Sequence, residues 1–389
     1  MKITILINSL MQGGAERVAS TLANHSIDDS ECDIEFVCIE DVFFYNIDDS
    51  IDRSVLSSLT NQDSVIKKTA MIPIFAYKLL SHIKKSKPDL IISFLYHADF
   101  TNVLASFFHS TPIIVSQRVN ASSYYNHDSA VSTFTKFLIK TLYPKAPLVI
   151  NVSEGTKKDL VDNFTVSSDK QIVIYNPYDS QKIDELSKKQ IDLNLDRDKT
   201  IIAVSRFRPI KNMQMLLRAL KTLEDDTNLV IVGSGQEEEF LKDLTKELDL
   251  EDRVYFVGER ENPYSYMSKA SIYVSASRSE GFPNALVEAM ICGCAIVSTD
   301  CPSGPREILA PSSDPFGYLK SGMESVEFGT LVGVDDEKSL SLALKELLSD
   351  DTKRDNYSKK AKQRAQDFKL ESVYEKYKEA FKSVIKEDK

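Results

Sequence analysis

The chain has 389 residues, 42% of them hydrophobic and 27% charged, with a formal net charge of −10. That length and apolar content suffice for two domains with buried cores, and the acidic balance argues against a general nucleic-acid binder, so no nucleic-acid partner is expected. Five cysteines (Cys32, Cys38, Cys292, Cys294 and Cys301) form a sparse, odd set that fits reduced thiols, and Cys292-Gly293-Cys294 lacks CxxC spacing, so neither a disulfide framework nor a metal is expected. The opening Met1-Lys2-Ile3-Thr4-Ile5-Leu6-Ile7-Asn8 is too short and too quickly polar for a signal peptide, and no run of about 18 apolar residues occurs. It reads as a strand over 3–7, and a cytoplasmic protein is expected.

Further strands are predicted at 34–39, 90–94, 112–116 and 148–152, with helices such as 15–24 and 74–86 among them. A second series follows at 200–204, 228–232, 253–257, 271–275 and 295–299, separated by helices near 211–223, 236–247, 263–269 and 283–292. Such alternation predicts an α/β protein with two doubly wound parallel-sheet, Rossmann-like domains and a ligand in a central cleft at the carboxyl ends of the strands. Ile174-Tyr175-Asn176-Pro177-Tyr178-Asp179, followed by a polar stretch to about Lys199, is the expected crossover. A last helical region, about 353–385, spaces Tyr357, Ala361, Val373, Tyr377 and Phe381 to pack back on the first domain.

Charge is uneven along the chain. Residues 1–66 hold 3 Lys/Arg against 12 Asp/Glu, whereas residues 67–158 hold 12 against 4. Lys136, Lys140 and Lys145 interleave with Phe134, Phe137, Leu138, Leu142 and Tyr143 at near-helical spacing, a pattern suited to peripheral contact with an anionic membrane surface. The plainer reading is an ordinary domain helix whose lysines are solvated.

Four loops carry candidate chemistry. After the first strand, Gly13-Gly14-Ala15-Glu16-Arg17 opens a helix, and paired glycines let backbone approach a ligand, although the spacing is not the GxGxxG of nicotinamide binding. Val204-Ser205-Arg206-Phe207-Arg208-Pro209-Ile210-Lys211-Asn212 sets cations at the end of a strand, where Arg206 and Lys211 suit a departing diphosphate. Gly233-Ser234-Gly235 repeats the strand–loop–helix pattern and reads as a structural turn. Glu280-Gly281-Phe282-Pro283-Asn284-Ala285-Leu286-Val287-Glu288 places one carboxylate at a helix mouth and another within the helix, with Pro283 as its expected first residue. Ser303 or Gly304, in Asp300-Cys301-Pro302-Ser303-Gly304-Pro305-Arg306-Glu307, would start a second short helix with free N–H groups for phosphate.

In order and spacing these stretches resemble the family 4 glycosyltransferases (glycosyl transferases group 1), retaining enzymes of the two-domain GT-B fold, over nearly the whole chain and most strongly over 200–310. The resemblance implies an acceptor-side domain at 1–180, a donor-binding domain at 198–367, and a C-terminal helix, about 368–389, returning to the first. It implies that Arg206 and Lys211 bind the donor diphosphate, that Glu280 lies by the donor sugar, and that Glu288 binds the nucleotide ribose. Backbone around Phe256-Val257-Gly258-Glu259, Val257 included, would meet the base. Phe282, Pro283, Asn284, Ala285 and Leu286 would meet sugar and phosphate, and Gly13 and Gly14 would border the donor. Many members carry a His after the strand matching 112–116, where this chain has Ser116-Gln117-Arg118-Val119-Asn120. His97, after the preceding strand, and Arg118 are the candidate acceptor or sugar contacts in its place.

The implied reaction is retaining transfer from a nucleotide sugar, expected to be a UDP-sugar, to a hydroxyl of a glycan acceptor, expected to be linked to a polyprenol diphosphate in surface-polysaccharide assembly. On that analogy the leaving phosphate oxygen takes the acceptor proton and neither metal nor other cofactor is required. A sugar-nucleotide epimerase and a non-catalytic sugar-nucleotide-binding subunit are the competing readings. An epimerase would free no UDP, and the complete Arg206, Lys211, Glu280 and Glu288 set speaks against a non-catalytic subunit.

Overall fold

The computed structural model describes residues 1–60, 62–126 and 129–387. The chain divides into two compact units, Met1–Pro177 together with the last helix, Leu370–Glu387, and Tyr178–Lys369. The last two residues of the C-terminal helix expected over 368–389 lie outside the described residues.

The first unit holds strands β1 (Lys2–Ile7), β2 (Asp33–Cys38), β3 (Arg53–Val55), β4 (Leu90–Phe94), β5 (Ile113–Gln117), β6 (Leu148–Asn151) and β7 (Gln171–Val173). They form one parallel sheet in the order β3-β2-β1-β4-β5-β6-β7. The second unit holds β8 (Thr200–Val204), β9 (Asn228–Val232), β10 (Val254–Gly258), β11 (Ile272–Ser275), β12 (Ala295–Thr299), β13 (Met323–Val326) and β14 (Gly329–Val332). Their order is β10-β9-β8-β11-β12-β14-β13, parallel except for the antiparallel β13–β14 pair. Each sheet is doubly wound, as the alternation predicts, and the strand order reverses between β1 and β4 in the first and between β8 and β11 in the second, which also turns back at the β13–β14 hairpin. Together they are the two Rossmann-like domains of the GT-B fold.

Central strands such as β4 and β12 are buried along their whole length, because helices cover both faces of a parallel sheet, and they read as near-continuous apolar runs. The short edge strands β3, β7 and β13 lack that signature, β14 is buried but half of it is Gly329 and Thr330, and all four go beyond the predicted set. On one face of the first sheet the core joins Ile3, Ile5, Phe36 and Ile92 to Leu370, Val373, Tyr374, Tyr377 and Phe381 of the last helix. The expected 353–385 helix is two helices, Asp351–Ala365 and Leu370–Glu387, with a short turn at Gln366–Phe368 between them. The first of them belongs to the second unit, where Tyr357 joins the core. The polar stretch after residue 179 also belongs there and contains a helix, Ser180–Ser187. All five cysteines are buried and unpaired, and the Cys294 thiol donates to the Met267 carbonyl at 3.2 Å. Among the described residues no helix is long and apolar enough to cross a membrane.

Candidate active site

In a doubly wound sheet the loops that leave the two strands at the order reversal diverge and open a crevice. In the second unit those loops are 205–212, after β8, and 276–283, after β11. Their backbones are tied together, with the Arg278 N–H donating to the Ile210 carbonyl (2.8 Å) and the Arg278 guanidinium to the Pro209 carbonyl (2.8 Å). A turn of 3-10 helix, Pro209–Lys211, ends at Asn212, whose left-handed backbone (φ 52°) redirects the chain into the helix Met213–Lys221. Asn212 is buried and donates to Asp335 (3.0 Å), which also takes the Arg278 guanidinium at 2.8 Å. Asp335 was not legible as a site residue. It follows β14 as the first of two acids in Val334-Asp335-Asp336, and only the strand assignment shows that it reaches the same edge of the sheet.

This scaffold brings Lys211 and Glu280 into an ion pair, Nζ to Oε1 2.6 Å, with side chains 24% and 11% exposed. Arg206 lies on the same loop, exposed, and its side chain makes no hydrogen bond or ion pair among the described residues. Glu288 is 2% exposed within the helix Asn284–Cys292. Burial first, and then the charges of Glu280 and Glu288, raise the Tyr273 hydroxyl pKa well above its ordinary value, so both carboxylates act on one neighbourhood. Glu280 is fixed from the backbone side as well: the Ser303 hydroxyl donates to its carbonyl at 2.5 Å.

Several expected contacts take a different form. The helix starts at Asn284, and Pro283 is its cap (φ −74°, ψ 95°) rather than its first residue. Phe282 is buried edge-on against Phe368, and Leu286 is fully buried, so these two offer a ligand backbone and not side chain. Ala285 is partly exposed in the first turn, and Asn284 accepts a hydrogen bond from the Tyr178 hydroxyl at 2.7 Å. Val257 lies in β10, partly exposed, one residue before Gly258 (φ 73°). The expected phosphate-binding mouth at Ser303 and Gly304 is a five-residue helix, Pro305–Leu309. There the Gly304 N–H turns to the Glu307 carboxylate (3.4 Å), while the Ser303 hydroxyl is taken up by carbonyls. Glycine is required at 304, because φ is +94° and a Cβ would stand 2.6 Å from Pro283 Cδ. Arg306 is a structural cation, buried and forked onto Asp300 at 2.6–3.2 Å.

The Gly233-Ser234-Gly235 loop packs against the loop that follows β8. The Phe207 N–H donates to the Ser234 carbonyl (2.8 Å), and a Cβ on Gly233 would lie 1.9 Å from the Ser205 carbonyl oxygen. That close approach holds the loop bearing Arg206.

In the first unit the order reversal lies between β1 and β4. Gly13 is the N-cap of the helix Gly14–His25 in extended backbone, and a Cβ on it would meet the Glu16 carboxylate at 2.2 Å. Gly13 is therefore needed for Glu16 to fold over the helix mouth, a contact the glycine pair alone did not disclose. His97 follows β4 through Leu95, a non-glycine residue at φ 75°, and its ring lies 3.4 Å from Asn8 Nδ2 and 3.2 Å from Thr69 Oγ1. Burial, reinforced by Lys68, lowers its pKa to about 4, so the imidazole is neutral near pH 7. Lys68 itself pairs with Glu40 at 2.9 Å. The Arg118 guanidinium donates to Asn176 (2.5 Å) and, at 3.5 Å, to the Tyr377 hydroxyl of the last helix.

Residues 12–182 match the family model described as Glycosyltransferase Family 4, and residues 184–364 match the one described as Glycosyl transferases group 1. The chain is 35% identical, over 94% of its length and 95% of the relative's, to the N-acetylgalactosamine-N,N'-diacetylbacillosaminyl-diphospho-undecaprenol 4-alpha-N-acetylgalactosaminyltransferase of Campylobacter jejuni. It is 27% identical, over 97% of each chain, to a second Campylobacter jejuni protein, a GalNAc-alpha-(1->4)-GalNAc-alpha-(1->3)-diNAcBac-PP-undecaprenol alpha-1,4-N-acetyl-D-galactosaminyltransferase. Among solved structures it is similar to Anabaena HepE in complex with UDP and glucose, with a TM-score of 0.78 and 21% identity over 98% of this chain and 100% of that one. Sucrose-phosphate synthase from Thermosynechococcus elongatus gives a TM-score of 0.82 at 17% identity, over 98% of both chains.

Proposed function

The chain belongs to the family 4 glycosyltransferases, retaining enzymes that use nucleotide sugars, and from that premise we propose that it transfers an N-acetylhexosamine from a UDP-sugar to a hydroxyl of an undecaprenyl-diphosphate-linked glycan. The observation that carries this reading is the Lys211–Glu280 ion pair at the order reversal of the second sheet, with exposed Arg206 on the same loop as Lys211. The Campylobacter jejuni relatives support the acceptor class and make UDP-N-acetylgalactosamine the first donor to test.

The acceptor oxygen bonds to the anomeric carbon on the face from which the diphosphate departs. The bond from that carbon to the phosphate oxygen breaks with its electron pair on UDP, and the acceptor proton passes to the leaving phosphate oxygen. The work left to the protein is positioning and charge stabilisation. Arg206, exposed and uncommitted, and Lys211 take the diphosphate, together with the N–H groups in the first turn of Asn284–Cys292. Glu280, pinned through Ser303, holds the sugar and supports positive charge developing at the anomeric carbon. Its pairing with Lys211 keeps both side chains at the crevice, so a donor meets groups already oriented. Glu288 accepts from the ribose hydroxyls, and backbone at Val257 meets the base.

The test is acceptor-dependent release of UDP from UDP-N-acetylgalactosamine with a polyprenyl-diphosphate-linked glycan. Lys211→Ala should unfold at the wild-type temperature and turn over about a hundred- to a thousandfold more slowly. Near-normal turnover by folded Lys211→Ala would sink the diphosphate assignment, and sugar conversion without acceptor or UDP release would turn the reading to an epimerase.

A further inference from the structure

The helix Ala130–Leu142 of the first unit carries apolar residues on both faces, with Leu138 and Leu142 packed against the core beside buried Ile139. It turns Ser132, Thr135 and Ile139 inward, while Thr133, Phe134, Phe137, Lys140 and Thr141 form its outward stripe. Phe134 and Phe137 are 48% and 59% exposed, and their rings stack on one another with centroids 6.2 Å apart. An outward aromatic pair one turn apart is costly to leave in water and has no partner in the core it sits on.

The charge along this stretch of the chain has one sign. Residues 129–153 contain Lys136, Lys140 and Lys145 and no acidic residue, in a chain whose net charge is −10. These lysines make no ion pair among the described residues, although acids are plentiful elsewhere. The helices Ile72–Ser86 and Tyr96–Ser106 pack in the same layer on the same face of the sheet. They add exposed Tyr77 and, just past the end of the second, Phe107 and Phe108.

We propose that the outward face of Ala130–Leu142 docks on an anionic phospholipid bilayer, with Phe134 and Phe137 entering the headgroup boundary and the three lysines meeting lipid phosphates. Exposed aromatic rings beside unpaired lysines match both halves of such a surface, the apolar boundary and the negative charge. The aliphatic stems of the lysines lie along the apolar stripe while their ammonium groups reach the phosphates. Docking deepens the lipid-linked acceptor reading, since it brings the first unit to the surface from which such an acceptor extends, but it stands on this helix and not on that reading.

The full chain is sedimented with vesicles of equimolar phosphatidylglycerol and phosphatidylethanolamine, and with phosphatidylcholine vesicles as the neutral control. Wild type should bind the anionic vesicles and release them as salt rises. Phe134→Ser with Phe137→Ser, and separately Lys136→Glu with Lys140→Glu, should each weaken binding about tenfold or more. Both double variants should keep the wild-type thermal shift with UDP, which shows that they are folded. Wild-type binding by the serine variant, equal binding to neutral vesicles, or a wild-type dimer that the serine variant splits into monomers would each overturn the proposal. A chain that binds anionic vesicles but releases no UDP with any lipid-linked acceptor would sink the functional reading and leave this one standing.

Discussion

Asp99 is 1% exposed in the helical layer of the first unit, accepts a hydrogen bond from the Tyr143 hydroxyl at 2.8 Å, and has its pKa raised to about 7. Burial is the main cause, and hydrogen bonds from Ser93 and Tyr143 with the charge of Arg118 offset it only in part. A folded-state pKa above the ordinary aspartate value of 3.8 means that the native state holds the extra proton between those values. Its contribution to stability is therefore full below the unfolded pKa and is lost as pH rises toward 7. His97 acts in the opposite sense, since its pKa is lowered from 6.5 to about 4 and its contribution falls away as pH drops through that window. The two slopes oppose one another in wild type, so the substitution Asp99→Asn isolates the first. It should raise the unfolding midpoint relative to wild type more at about pH 8 than at about pH 5, and a difference independent of pH would refute the assignment. Neither shift is visible in the sequence, where Asp99 and His97 are two polar residues in Leu95-Tyr96-His97-Ala98-Asp99, because each arises from desolvation by residues remote in the chain.

At the scale of elements, the strand-end loops of the second unit depend on close backbone approaches. Gly233 has φ +140° and its absent Cβ would lie 1.9 Å from the Ser205 carbonyl, whereas Gly258 has φ +73° with nothing within 4 Å of that position. Gly233→Ala should thus cost a few kcal/mol and displace the loop bearing Arg206, weakening the thermal shift produced by UDP. Gly258→Ala carries only the left-handed backbone penalty of about 1–2 kcal/mol and serves as the control. Equal effects from the two substitutions would show that steric approach is not what holds the loop. The contrast was not legible beforehand: both glycines follow strands, and only the fold of β8 and β9 shows which one another backbone approaches. Lys211 and Glu280 were legible as candidates because strand-end cations and a carboxylate at a helix mouth are uncommon requirements of packing. Their ion pair was not, since it depends on the parallel neighbours β8 and β11, which are far apart in sequence.

For the whole molecule, the last helix belongs to the unit built from the first residues of the chain. Val373, Tyr374, Tyr377 and Phe381 join Ile3, Ile5 and Phe36 in one core, and Tyr377 also meets Arg118. A chain ending at Lys369 would leave that core open on one face while the second unit, Tyr178–Lys369, keeps all of its own strands. Calorimetry of the truncated chain should show the first unit's transition lost or lowered by well over about 10 °C, with the other retained. An unchanged pair of transitions would mean that the helix is dispensable to the first core. The long-range charge pattern belongs to this scale too: the basic band between 67 and 158 spans several helices, and its meaning rests on which side chains those helices turn outward.

The sequence by itself determined the α/β class, the two series of buried strands and the family resemblance, and it singled out Arg206, Lys211, Glu280 and Glu288 as candidates. Apolar runs, strand-end loops and motif spacing are local properties, and local properties survive in one dimension. Only the tertiary structure decided that Glu16 covers the helix mouth after Gly13, that Gly304 N–H turns to Glu307, and that Arg118 meets Tyr377 of the last helix. Only it, too, showed that Ala130–Leu142 presents its phenylalanines outward. The periodicity of a helix gives two faces without saying which is buried, and that choice is made by the surfaces against which the helix packs.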